Sequence, residues 1–349
     1  MTVMENDQLL QALGAADLVA AFEEPLLLVR DRRVVIANVA ARALLGDHII
    51  GSDVRLAIRH PAAAPHLAGD GETGDERIRI ELVGLGELGR PWELIIAPLP
   101  DGSRLVRLVD QSQQRAAEQM RVDFVANASH ELRTPLATLL GFLETLQDDE
   151  AVDAATRQRF IGIMFGEAVR MRGLLDDLMS LSRIEAERFA LPRDTLALLP
   201  LIEEVTASVR PLAKGRAIRV ENEVDDALVS GDGIQLSQML NNLVVNALKY
   251  GRAGTPVRIR LEDAAPDLVR ISVTDEGDGI PAAHIPRLTE RFYRVDPGRS
   301  RSVGGTGLGL AIVKHIVLRH RGRLDIQSEL GVGTTVAVSL PRPAVIKES

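Results

Sequence analysis

The sequence predicts a multidomain α+β protein, in which a small α/β domain, an antiparallel helical hairpin and a larger mixed α/β domain follow one another. Three observations carry that prediction. At 349 residues the chain exceeds one ordinary hydrophobic core. Between Gln111 and Arg188 glycine becomes sparse and apolar residues recur at steps of three and four, whereas both flanks carry short β-type runs punctuated by turn residues.

The elements follow in chain order. Residues 1–16 read as an N-terminal helix or tail, and residues 17–110 as a small α/β domain. Its strands are Leu26–Val29, Val34–Ala37, Ile78–Leu82, Glu93–Ala97 and Ser103–Val109. The stretch between the second and third strands, with Pro61, Pro65, Gly69, Gly71 and Gly74, lacks periodicity and is expected to be irregular. Residues 111–190 form the hairpin. One helix carries Phe124, Ala128, Leu132, Leu136, Leu139, Leu143 and Leu146, the other Phe160, Met164, Ala168, Met171, Leu175, Leu178 and Leu181, with an acidic turn at Gln147–Asp153. A lone hairpin cannot cover both apolar stripes, so a homodimer paired as a four-helix bundle is expected. Residues 191–349 form the last domain: helices at Leu201–Val209, Ile234–Tyr250 and Leu308–Arg319, strands at Val257–Leu261, Leu268–Thr274, Arg323–Ser328 and Thr334–Leu340.

Composition excludes several classes of function. A formal net charge of -8 opposes binding to nucleic acid. With no cysteine there are no disulfides, thiolate metal sites or cysteine nucleophiles. The most apolar early runs are interrupted by Arg30–Arg33 and Arg42, well short of the ~20 residues of a membrane span, and no secretory signal is evident. A cytoplasmic location is expected, with peripheral membrane association left open.

The first hairpin helix contains Phe124-Val125-Ala126-Asn127-Ala128-Ser129-His130-Glu131-Leu132-Arg133-Thr134-Pro135-Leu136. This segment resembles the phosphoacceptor box of HisKA-type sensor histidine kinases of two-component systems, and most of all that of phosphate-regulon sensor kinases. The resemblance implies that His130 is phosphorylated from ATP and passes the phosphoryl group to an aspartate of a response regulator. A neutral imidazole nitrogen is a competent nucleophile near pH 7, and a neighbouring carboxylate such as Glu131 raises its basicity by holding the other nitrogen's proton. Thr134, four residues on, shares the His130 face, and the family assigns a threonine there to phosphatase activity.

The last domain carries four further segments in fixed order. Asn242-Leu243-Val244-Val245-Asn246-Ala247-Leu248-Lys249-Tyr250 resembles the N box of the GHKL-type ATP-binding fold. The resemblance implies a sandwich of helices on a sheet, with Asn246 completing Mg2+ coordination, Asn242 beside it, Lys249 near phosphate and Tyr250 against adenine. Asp275-Glu276-Gly277-Asp278-Gly279 resembles the first glycine box, which makes Asp275 the acceptor for the adenine amino group, with Gly277 and Gly279 letting backbone approach the base. Arg291-Phe292-Tyr293-Arg294-Val295-Asp296 resembles the F box, and Pro297–Val303, with Arg299 and Arg301, an ATP lid. Gly304-Gly305-Thr306-Gly307-Leu308-Gly309-Leu310 resembles the second glycine box. It opens directly into a helical pattern, so backbone N–H groups face phosphate. It fits neither the dinucleotide fingerprint nor a P-loop.

Two alternatives compete. ATP hydrolases sharing this fold carry a glutamate four residues before the Mg2+ asparagine; here that position is Asn242, so transfer to His130 is expected rather than hydrolysis. A silent scaffold is disfavoured by the full set of nucleotide-site residues. More loosely, Pro25–Asn38 and the following strands resemble a PAS sensor module, which ends here in Asp110-Gln111-Ser112. His48, His60 and His66 are read as surface or structural histidines rather than haem ligands.

Overall fold

The computed structural model describes residues 14–68, 77–86, 89–148, 152–187, 190–192, 194–296 and 305–343. The chain divides into two compact units, Met1–Val125 and Ala126–Ser349. The expected lid, Pro297–Val303 with Arg299 and Arg301, lies outside the described residues, as does Gly304.

The first unit contains α1 (Ala15–Ala20), β1 (Leu26–Arg30), β2 (Arg33–Ala37), α2 (Val39–Leu45), α3 (Val54–Ala57), α4 (Ala64–Ala68), β3 (Ile78–Val83), β4 (Pro91–Pro98) and β5 (Arg104–Asp110). The five strands form one antiparallel sheet in the order β2-β1-β5-β4-β3. Alternating residues such as Leu27, Val29, Leu94, Ile96, Val106 and Leu108 point into a core closed by Ala41, Ile49, Val54, Ile58 and Leu67 from the segment between β2 and β3. Among the described residues that segment, expected to be irregular, holds three short helices, each too brief to display a 3.6-residue period, while Gly69, Gly71 and Gly74 lie outside the described residues. Asn38 fixes the crossover into α2: its Nδ2 donates to the carbonyls of Phe22 and Glu24, and its Oδ1 accepts from the N–H groups of Leu26 and Ala41. All four polar valences are satisfied in a buried side chain. His48 and His66 are exposed.

The sheet leads straight into α5 (Ser112–Asp148). Asp110 Oδ1 accepts from the Ser112 N–H at 2.8 Å while its Oδ2 holds Arg90 at 2.7 Å. The Ser112 hydrogen bonds, followed by Arg90, hold the Asp110 carboxyl below its ordinary pKa. Arg115, on the first turn, pairs with Glu81 of β3 at 2.6 Å. The end of this sheet and the start of the helix are thereby tied together.

In the second unit α5 continues and is followed by α6 (Ala154–Ala186), capped by Asp153, which accepts from the Thr156 N–H at 2.9 Å. Leu140, Leu143 and Phe165 remain exposed at 51%, 52% and 71%, too much apolar surface for a finished helical pair. The rest comprises β6 (Thr195–Ala197), α7 (Leu198–Val209), β7 (Ile218–Asn222), β8 (Leu228–Ser230), α8 (Gly233–Tyr250), β9 (Val257–Ala265), β10 (Leu268–Asp275), α9 (Gly309–Arg319), β11 (Arg323–Glu329) and β12 (Gly333–Pro341). A five-stranded sheet runs β11-β12-β10-β9-β7, with β7 parallel to β9 and the other pairs antiparallel. Val257, Ile259, Leu261, Val269, Ile271 and Val273 are buried on one face, where α8 packs with Leu236, Met239, Leu240, Leu243 and Val244. The other face carries ion pairs, including Arg260–Glu221 and Arg270–Asp325. Strand β7 shows no apolar run in sequence because Arg219, Glu221 and Asn222 interrupt it.

Candidate nucleotide and phosphoacceptor sites

A cavity of about 610 Å3 opens between the C-terminal half of α8, the end of β10, the start of α9 and one face of α6. It brings together every nucleotide-box segment within the described residues.

Asp275 ends β10 and is 8% exposed. Its Oδ1 accepts from the Gly277 N–H at 2.8 Å. Burial pushes the carboxyl up, against the lowering effect of Gly277, Arg216 and Thr334. A carboxylate in such a place strongly favours a donor that arrives with a ligand. The two glycines after it are steric requirements. A Cβ at Gly277 would lie 2.4 Å from the Tyr250 carbonyl oxygen, and one at Gly279, where φ is +71°, only 2.0 Å from that of Glu329.

Helix α8 presents Asn242, Asn246, Lys249 and Tyr250 to the cavity. Asn242 Nδ2 lies 3.5 Å from the Gly309 carbonyl, and both asparagine amides lie against the open face of Gly309. The first turn of α9 thus meets the amide ladder of α8. Burial lowers the Lys249 ammonium pKa, opposed by attraction to Asp177. Arg216 finishes the far end of α8, donating to the carbonyls of Leu248, Gly251 and Thr255.

The second glycine box is pinned to the F box. Phe292 N–H donates to the Gly307 carbonyl at 2.8 Å, and a Cβ on Gly307, at φ +74°, would meet the Phe292 backbone at 2.8 Å. Phe292 is itself left-handed at φ +63°. Thr306 Oγ1 accepts from the Leu308 N–H at 3.3 Å and donates to Asp177 of α6 at 2.8 Å. Leu308 is buried beneath the turn, whereas Gly305, Thr306, Gly307 and Gly309 line the cavity. Among the described residues no cluster of three or more His, Cys, Asp or Glu is gathered as a metal cage. The donors at hand are amide oxygens, suited to a hard cation held mainly by phosphates and water.

On the hairpin, His130 is exposed on α5. Glu131 presents its carboxylate to Arg170 of α6 at 3.3 Å and to Arg294, just past the F-box phenylalanine, at 2.9 Å. Thr134 Oγ1 donates to the His130 carbonyl at 3.3 Å, one residue before Pro135, which supplies no N–H to the carbonyl of Glu131. Asp177, Arg170 and Arg216 lie outside every motif of the sequence, and Arg294 lies in the F box without a role of its own. For Asp177 the signal in the sequence is an acidic pair, Asp176-Asp177, between Leu174-Leu175 and Leu178.

Comparison with known proteins agrees with this geometry. Residues 120–187 match the His Kinase A (phospho-acceptor) domain, and residues 231–344 the histidine kinase-, DNA gyrase B- and HSP90-like ATPase family. The phosphate regulon sensor protein PhoR of Pseudomonas aeruginosa is 38% identical over 316 residues, covering 89% of this chain and 70% of that protein. The sensor protein SrrB of Staphylococcus aureus is 33% identical over 241 residues, covering 68% of this chain but only 41% of its own length. The crystal structure of histidine kinase ThkA in complex with response regulator protein TrrA covers 95% of this chain and 98% of that one, with a TM-score of 0.50 at 20% identity, a likeness of fold. No helix among the described residues is long and apolar enough to cross a membrane. With an ATPase-type α/β domain joined to a phosphoacceptor hairpin, and a relative of this identity and coverage, the chain belongs to the sensor histidine kinases of two-component systems.

Proposed function

We propose that His130 is the residue phosphorylated and that the 610 Å3 cavity holds the donor nucleotide as its Mg2+ complex. The observation that carries this is an exposed imidazole on α5 in the same compact unit as a cavity with a buried carboxylate at one end and a glycine-rich helix start at the other. Asp275 accepts the adenine amino hydrogen. Tyr250 and Ile280 flank the base, while Lys249, Thr306 and the α9 N-terminus face the phosphates. Asn246 offers its amide oxygen to Mg2+, which when bound screens the triphosphate charge.

The His130 nitrogen attacks the γ-phosphorus, the bond to the bridging oxygen breaks, and ADP leaves. Glu131 supports the attack by holding the proton of the other imidazole nitrogen once its carboxylate is released from Arg294 and Arg170. The phosphoryl group then passes to an aspartate of a response regulator, and Thr134 orients water for its later removal. The exposed Leu140, Leu143 and Phe165 pair with a second copy, making the active form a homodimer. A signal at the PAS-like domain reaches His130 through the Asp110–Ser112 junction and α5. The test is incubation with labelled ATP and Mg2+. Acid-labile, base-stable phosphate is expected on the native chain and none on His130→Ala; equal labelling of that variant excludes His130.

A further inference from the structure

One wall of the nucleotide cavity comes from the hairpin rather than from the ATP-binding domain. Gly166, Gly173 and Asp177, all on α6, line it. The two glycines keep that wall thin, and the carboxylate of Asp177 projects to groups assigned above to phosphate. Thr306 Oγ1 donates to its Oδ2 at 2.8 Å, and Lys249 attracts it electrostatically. A second hairpin carboxylate behaves in the same way: Glu131 engages Arg294, another cavity-lining cation, whose side chain is 7% exposed. Two hairpin acids therefore bind donors at the rim and wall of one nucleotide cavity. Carboxylate and phosphate oxygens are interchangeable partners for such donors, because both accept charge-assisted hydrogen bonds.

We propose that Asp177 is a built-in competitor for nucleotide phosphate, its carboxylate engaging Thr306 beside Lys249 when α6 lies against the cavity, so that nucleotide binding and hairpin docking oppose one another. Its role depends on Lys249 and Thr306 being phosphate contacts, as assigned above. Burial pushes the Asp177 carboxyl up and the Lys249 ammonium down, each resisted by the other's charge. A triphosphate brings more negative charge to the same donors than a single carboxylate does. Coupling between two binding events is reciprocal, so ATP also weakens the docking of α6. ATP would thus loosen the hairpin that carries its own acceptor.

The test uses the full chain and the affinity of Mg-AMP-PNP by calorimetry, with adenosine as a probe lacking phosphate. Asp177→Asn preserves size and an acceptor for Thr306 but removes the charge. It is expected to bind Mg-AMP-PNP about tenfold more tightly, equivalent to about 1.4 kcal/mol, with adenosine affinity unchanged. Asp177→Ala, checked for folding by thermal unfolding, should move in the same direction. Unchanged or weaker Mg-AMP-PNP binding in both variants overturns the proposal, weaker binding marking Asp177 as a nucleotide-supporting group instead. Equal tightening toward adenosine also overturns it, since that is a loosened cavity and not relief of phosphate competition. Lys249→Ala separates the two levels: unchanged Mg-AMP-PNP affinity in that variant removes the phosphate assignment itself, whereas weakened affinity leaves it standing while Asp177 is judged on its own result.

Discussion

Gly279→Ala is the most demanding check on the proposed adenine end of the cavity. At φ +71° the backbone is left-handed, which costs alanine about 1–2 kcal/mol. The added Cβ would sit 2.0 Å from the Glu329 carbonyl oxygen and 2.9 Å from Leu330 Cα, where ordinary contact begins at 3.4 Å. Both neighbours are backbone, so no rotamer relieves the overlap; the turn after β11 must move by more than an ångström. Overpacking of that kind adds about 1–3 kcal/mol, for a total of about 2–5 kcal/mol. For a unit of this size each kcal/mol lowers Tm by about 2–4 °C, so a fall of about 6–12 °C is expected for a mid-range 3 kcal/mol. The displaced turn is also bonded to the Asp275–Gly279 loop through Gly331 N–H to the Asp278 carbonyl at 2.8 Å. Mg-AMP-PNP affinity should therefore drop together with Tm. Differential scanning calorimetry and titration on the same sample provide both numbers. A Tm shift under about 1 °C with affinity within about twofold would refute the steric reasoning and the placement of this turn beside the base.

Asp275→Asn replaces an acceptor-only group with one that also donates, and should weaken Mg-AMP-PNP binding about 10- to 100-fold. Because burial raises the Asp275 pKa, folding penalises its ionised form above the ordinary carboxylate range; the same variant is expected to keep or raise Tm at pH 7. His320 is 3% exposed, with its Nδ1 on the Ile316 carbonyl and its Nε2 accepting from the Asp232 N–H; burial holds its pKa below 6.5. The unfolded chain therefore binds a proton that the native state does not, so stability is complete above pH 6.5 and lost as pH falls through the folded pKa. His320→Gln should flatten that acid limb in urea titrations read between pH 7 and 5. Arg319 ties the Ala190 carbonyl and Glu187, at the end of the hairpin, to Asp232 at the cap of α8; Arg319→Met is expected to destabilise by about 1–3 kcal/mol and to raise amide exchange near Ala190. Leu140→Asp places a charge on the exposed stripe and should turn a homodimer into monomer in sedimentation velocity; an unchanged sedimentation coefficient excludes that face as the pairing surface.

What the sequence determined by itself is what short-range chemistry dictates. The glycine boxes are legible as clustered glycines beside a strand end and a helix start, but the reason for glycine at 277, 279 and 307 is tertiary, since a side chain there would meet the backbone of Tyr250, Glu329 and Phe292. The helices carrying His130 and Asn246 are legible because apolar residues return to one face every three or four positions. The strands of the first unit are legible as short apolar runs set off by turn residues. Short helices α2 to α4 were not, having no more than two turns each, and neither was β7, whose place beside β9 is a parallel pairing across a long connection.

Only the tertiary structure decided which distant charges meet. Glu131 finds Arg294 across 163 positions, and Thr306 finds Asp177 across 129. No local period encodes such pairings, because each forms only after two separately folded surfaces are brought together. From sequence Glu131 is a neighbour of the nucleophile; in the fold its carboxylate is held by arginines of α6 and of the ATP-binding domain. The motif residues are read from short stretches of sequence, while the pairing of Glu131 and Asp177 with Arg294 and Thr306 depends on how the hairpin packs against the cavity.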